Sequence, residues 1–138
     1  MNKLMPFVVL AAVIVLVLCA QGRGPAAQDP TDKGIGPVKE LKLGPVDEKL
    51  AARGKELFDS RCAACHGLDK ALAGPALGSV LKTRAPEFVM NMILNTEEMG
   101  AKNPTVKKLT AQYGMPMPAP GLSQDEARAV VEYLRTTK

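Results

Sequence analysis

Cys62 and Cys65 stand three positions apart and His66 follows directly, in the run Cys62-Ala63-Ala64-Cys65-His66. Two thiols at that spacing reach the two vinyl groups of one haem, and a histidine beside the second is placed to put its Nε2 on the iron. That attachment demands both the residue types and the spacing. Other uses of paired cysteines fit less well. A structural zinc takes four nitrogen or sulfur ligands, and beyond these three the chain offers only Cys19, inside an apolar N-terminal run. A thioredoxin-like dithiol needs a βαβ setting, and no segment here alternates with a period of two between turn signals. The motif therefore predicts one covalent haem c, with Cys62 and Cys65 as attachment points and His66 as an iron ligand.

The elements that must position this motif fit within one domain plus a leader, since the chain has 138 residues. One histidine in the whole chain excludes three-His zinc sites and di-iron sites that draw a histidine from each helix pair. Eighteen Lys/Arg against fourteen Asp/Glu, with no basic run interleaved with aromatics, exclude a nucleic-acid surface. The three Phe and two Tyr would leave a small core marginal, unless a buried porphyrin supplies the large flat apolar filler.

Much of the apolar content lies in one block. Lys3 is followed by seventeen uncharged residues, Leu4 to Ala20, in the order of a secretory signal and near the minimum length of a spanning helix. Leu18-Cys19-Ala20 fits a small-residue cleavage site poorly. A retained helix therefore ranks first, a lipoprotein acylated at Cys19 second, and simple cleavage third. All three place the rest of the chain on the outer, periplasmic side of a cytoplasmic membrane. Residues 21–45, rich in Gly and Pro, read as a tether able to reach about 80 Å when extended. Val38, Leu41 and Leu43 in its second half suit either a strap laid on the domain or a plain linker.

Residues 46–138 read as all-α. Asp47 caps a helix through Leu50, Gly54, Leu57 and Phe58, which delivers the chain to Cys62. Pro86 opens a second helix, with Phe88, Val89, Met92 and Ile93. Asn103-Pro104 opens a third, with Val106, Leu109 and Tyr113. Ser123 and Glu126 form a capping box for the last, whose stripe is Ala127, Val130, Val131 and Leu134. Residues 67–85 and 114–121 read as long loops, and Met99 is assigned to a loop or helix end.

Phe58, the CAACHG run, Gly74-Pro75-Ala76-Leu77, a Met-Pro segment and LSQDEARAVVEYLR occur in the order that resembles class I c-type cytochromes, over residues 47–138. The stretch between these motifs looks like that of cytochromes associated with bacterial respiratory complexes. The resemblance implies a cytochrome c fold whose N- and C-terminal helices cross, with Gly54 and Phe58 meeting Tyr133 or its neighbours. It also implies that the Pro75 carbonyl accepts from His66 Nδ1, fixing the imidazole's tautomer; Gly74-Pro75 can equally be a simple turn.

No second histidine exists for the sixth position on iron, so the candidates are Met90, Met92, Met99, Met115 and Met117. Met90 and Met92 are explained by packing. Met115 and Met117 lie in a proline-rich loop before the last helix; the family's ligand spacing favours Met117, with Met115 as the second candidate. A further alternative is an open position. Leu77, Val80, Leu81, Phe88 and Met92 are expected as crevice walls, and Arg84 either pairs with a haem propionate or is exposed. The expected function is that of a non-enzymatic carrier of single electrons between respiratory redox proteins, tethered to the membrane and using no small-molecule substrate. Residues 46–138 hold thirteen Lys/Arg and eleven Asp/Glu, so no strongly cationic docking face is predicted, and Lys102, Lys107 and Lys108 form at most a local patch.

Overall fold

Asp47, Asn103 and Ser123 each cap the helix that follows with a side-chain oxygen. The computed structural model describes residues 29–138, in which five α-helices form and no strand does. Helix α1 spans Glu48–Arg61, α2 Pro86–Leu94, α3 Thr96–Lys102, α4 Pro104–Tyr113 and α5 Gln124–Thr136, with a 3-10 turn at Val80–Lys82. The Asp47 carboxylate accepts from Leu50 N at 3.0 Å, satisfying one of the orphan donors of α1. Ser123 and Glu126 make the reciprocal capping box of α5, with Ser123 N donating to Glu126 Oε2 at 2.9 Å. Gly114, at φ 75°, ends α4 in the left-handed conformation that glycine tolerates best.

Helices α1 and α5 cross, and a glycine sets the distance. A Cβ at Gly54 would overlap the carbonyl oxygen of Ala129, so only glycine lets the two backbones approach this closely. Phe58 and Tyr133 close the same crossing as a tilted ring pair, centroids 5.5 Å apart. Ala127, Val130, Val131 and Leu134 from α5 pack with Phe58 and Cys62 in the main core cluster.

Glu132, with no exposed surface, ties the crossing together. Its carboxylate accepts from Arg128, from Arg135 at 2.6 Å and from the Asp47 backbone N–H at 2.9 Å. Burial opposes its ionisation, yet the two guanidinium donors and the Asp47 amide outweigh it and hold the carboxyl below the usual glutamate value. A carboxyl depressed in the folded state contributes stability above the unfolded value of about 4.3 and loses it as pH falls through the lower folded value. Glu132→Gln is therefore expected to lower stability by about 3 kcal/mol at neutral pH, the scale of breaking a buried pair. The gap to wild type should narrow below about pH 4. Urea denaturation of both proteins between pH 7 and pH 3 checks this, and a gap independent of pH would contradict it.

Two elements depart from expectation. The sequence predicts no helix over 95–102, because TEEMGAK has one large apolar residue and an internal glycine, too little for a periodic signal. Met99 is nevertheless fully buried in α3, and the helix is held from outside: Ile35 N lies 3.0 Å from Met99 Sδ, and Asn95 Nδ2 donates to Ile35 O at 3.1 Å. Of the two forms expected for the second half of 21–45, the described residues take the strap. Val38 is 5% exposed and belongs to the main core cluster, with Leu41 packed against it. The leader 1–20, Cys19 and residues 21–28 lie outside the described residues. Among the described residues no helix is long and apolar enough to cross a membrane.

Candidate haem site

The CAACH run continues α1 as a tight turn. Cys62 N donates to Phe58 O at 2.8 Å, while Cys65 N and His66 N both return to Cys62 O, at 3.0 and 2.9 Å. This winding places Cys62, Cys65 and His66 along one wall of a cavity. Burial, and then the neighbouring Cys65, pushes the Cys62 thiol up. The two cysteines are not joined to each other, and no group of three or more His, Cys, Asp and Glu side chains is arranged to hold a metal among the described residues.

The loop after the motif folds back on it. Gly74 N donates to Cys65 O at 2.9 Å, Leu77 N to Gly67 O at 3.0 Å and Gly78 N to Leu68 O at 2.9 Å. These bonds bring the Pro75 carbonyl 2.9 Å from His66 Nδ1. With Nδ1 protonated toward that carbonyl, Nε2 keeps its lone pair for a metal. Gly74 lies against the ring itself, and a Cβ there would overlap the imidazole. Glycine followed by proline thus does two jobs, close approach and carbonyl placement. The first is visible only in three dimensions.

The cavity has a volume of about 390 Å³, within the size class of cofactor sites. Close-packed interiors hold few voids larger than a water molecule, so an apolar cavity of this size is a seat for a large apolar group. Phe58, Val130 and Leu134 line it from the α1–α5 crossing, Phe88 and Met92 from α2, and Leu109 and Tyr113 from α4. Met115 and Met117 line it as well, with Met117 half-buried and Met115 50% exposed.

Leu77, Val80, Phe88 and Met92 stand where the sequence put them, but Leu81 does not. It lines a second cavity instead, shared with Leu43 and Pro86. Arg84 is not exposed. It is 8% accessible, lines the haem cavity and holds its guanidinium 5.3 Å from the centre of the Phe88 ring, a cation–π distance. Of the lysines considered for a patch, Lys102 is paired with Glu98 at 2.7 Å, and Lys107 and Lys108 are exposed.

The donor set fits haem c. Two cysteine sulfurs at vinyl spacing, an imidazole oriented by a carbonyl, a thioether-bearing loop and apolar walls define an all-α protein built around one covalently attached porphyrin. The cytochrome c family model matches residues 51–138, and the chain belongs to that family as a class I monohaem c-type cytochrome. It is 35% identical to cytochrome c-551 of Pseudomonas denitrificans over 88 residues, 62% of this chain and 98% of that one. With cytochrome c2 of Rhodocyclus tenuis it shares 33% over 94 residues, 67% of this chain and 95% of the other. A cytochrome c from Rhodothermus marinus superposes with a TM-score of 0.71 at 42% identity, over 81% of this chain and 95% of that one. The fold is the cytochrome c fold, the protein binds one covalent haem c, and it is a monohaem electron carrier.

Proposed function

We propose that this cytochrome is held to the outer face of a cytoplasmic membrane by its N-terminal segment and passes single electrons between respiratory redox proteins there. The observation that carries the reading is the pairing of His66 and the Met115–Met117 loop around one apolar cavity. The bound haem supplies one-electron exchange at iron. His66, held by Pro75, and Met117 are the residues that would hold the iron. Thioether sulfur and apolar burial favour the ferrous state and raise the potential, which suits a carrier downstream of quinol. With His66 and Met117 both holding the iron no position would be left for a substrate, which supports a carrier over an enzyme. Its partners are redox proteins met weakly and transiently, with charge tuning encounter more than affinity. The apolar block 4–20, with Cys19 near its end, supports the membrane location.

A reduced-minus-oxidised spectrum of membranes from cells expressing the gene tests the reading. A low-spin c-type signature is expected in the membrane fraction, retained after a salt wash and released by detergent. Recovery of the cytochrome in the soluble fraction would refute anchoring. Rapid, tight binding of carbon monoxide to the reduced protein would refute six-coordinate carriage. Replacing both Cys62 and Cys65 by alanine is expected to abolish covalent haem while the polypeptide still reaches the membrane, checked by haem staining of denaturing gels beside immunodetection.

A further inference from the structure

We propose that residues 32–41 are a clamp on the methionine-side walls of the haem cavity, with Asp32 and Asn91 as positioning residues for the sixth ligand. The inference rests on the reading of Met117 as that ligand.

Helix α2 has two working faces. Phe88, Val89, Met92 and Ile93 line the cavity. Glu87, Asn91 and, just past its end, Asn95 recur every four residues and grip the strap, through Leu41 N, Val38 and Ile35 O. Asn91 is 1% exposed and uses both ends of its amide. Its Oδ1 accepts from Val38 N at 2.9 Å, and its Nδ2 donates to Lys33 O at 2.9 Å and Val38 O at 2.8 Å. An amide buried amid apolar residues is costly unless paired, so the strap and the wall need each other.

The second grip reaches the methionine loop. Asp32 accepts from Gly34 N at 2.8 Å with one carboxylate oxygen and from Asn103 Nδ2 at 3.0 Å with the other. Asn103, 4% exposed, turns its Oδ1 to Thr105 N and Val106 N, at 2.9 and 3.1 Å, and so caps α4. Helix α4 carries Val106, Leu109 and Tyr113 into the cavity and runs through Gly114 into Met115–Met117. The Asp32 carboxylate therefore fixes the amide that starts the helix that delivers the ligand loop. One segment holds two walls, and undocking it frees both.

Asp32→Asn in the full haem-loaded chain is the test. The new amide is nearly isosteric but leaves one acceptor oxygen for two donors; with that oxygen kept by Gly34 N in the local turn, its NH2 faces Asn103 Nδ2, and Asn103 cannot turn round without uncapping α4. Expected is an increase of about tenfold or more in amide exchange at Thr105 and Val106, the scale of losing one charge-assisted hydrogen bond. Carbon monoxide should associate with the reduced protein faster by a similar factor. In the Met117→Ala background the second effect should vanish while the first persists. If Asp32→Asn speeds exchange only within 29–41 and leaves Thr105, Val106 and carbon monoxide binding unchanged, the clamp is overturned and the Met117 reading stands. If Met117→Ala itself leaves carbon monoxide binding unchanged, the Met117 reading is overturned, and the proposal that the strap positions the sixth ligand falls with it.

Discussion

Met117→Ala is expected to lower the reduction potential by on the order of 0.1 V or more, within the ~0.8 V that axial ligation controls. It should also open the reduced iron to carbon monoxide. A thioether ligand favours the ferrous form, so with Met117 in that role its loss would remove a bias toward reduction as well as a ligand. Met115→Ala should do neither. Both side chains line the cavity, but Met115 is half exposed, where a neutral substitution costs little, while Met117 is turned further inward. Pro116 and Pro118 restrict the loop on either side of Met117, so the neighbouring methionine has no easy route to replace it. Potentiometry of the two variants beside wild type decides between them. A large shift in Met115→Ala with none in Met117→Ala would reverse the assignment.

The largest loss of stability is expected at Gly54. Gly54→Val places branched carbon against the Ala129 carbonyl, a backbone atom with no rotamer to yield, so the helices must separate. Overpacking of this kind costs about 1–3 kcal/mol when side chains absorb it, and the upper end or beyond applies here. Because the α1–α5 crossing forms part of the cavity wall through Phe58, Val130 and Leu134, the yield of haem-loaded protein should fall along with the melting temperature. Gly100→Ala is the control. Gly100 lies in α3, where an added methyl group would meet nothing within 4 Å, and alanine there should be neutral or stabilising by up to about 1 kcal/mol. Thermal denaturation of both variants checks the contrast.

What could be read from the chain was whatever is encoded locally. Asp47, Pro86, Asn103-Pro104 and Ser123 with Glu126 each announce a helix start within a few residues, and all four helices begin there. The haem attachment is equally local, because chemistry fixes the spacing of Cys62, Cys65 and His66. The features that escape such reading depend on distant partners. Helix α3 is secured by Ile35, some sixty positions upstream, and carries no periodic pattern of its own. Arg84 has nothing in its neighbours to say that it would be buried over Phe88. The docked strap does leave one local trace: Asn91 interrupts the apolar run FVMNMIL, and an amide there requires buried partners.

The docked strap also changes the reach of the molecule. Among the described residues its first hydrogen bond to a helix of the domain is at Asp32, and eleven residues, 21–31, lie between the apolar block and that point. Eleven residues span at most about 36 Å, against about 80 Å for the whole of 21–45. With an anchored leader, the volume swept by the haem falls about tenfold, as the cube of that ratio. Its effective concentration for partners fixed in the same membrane rises by the same factor.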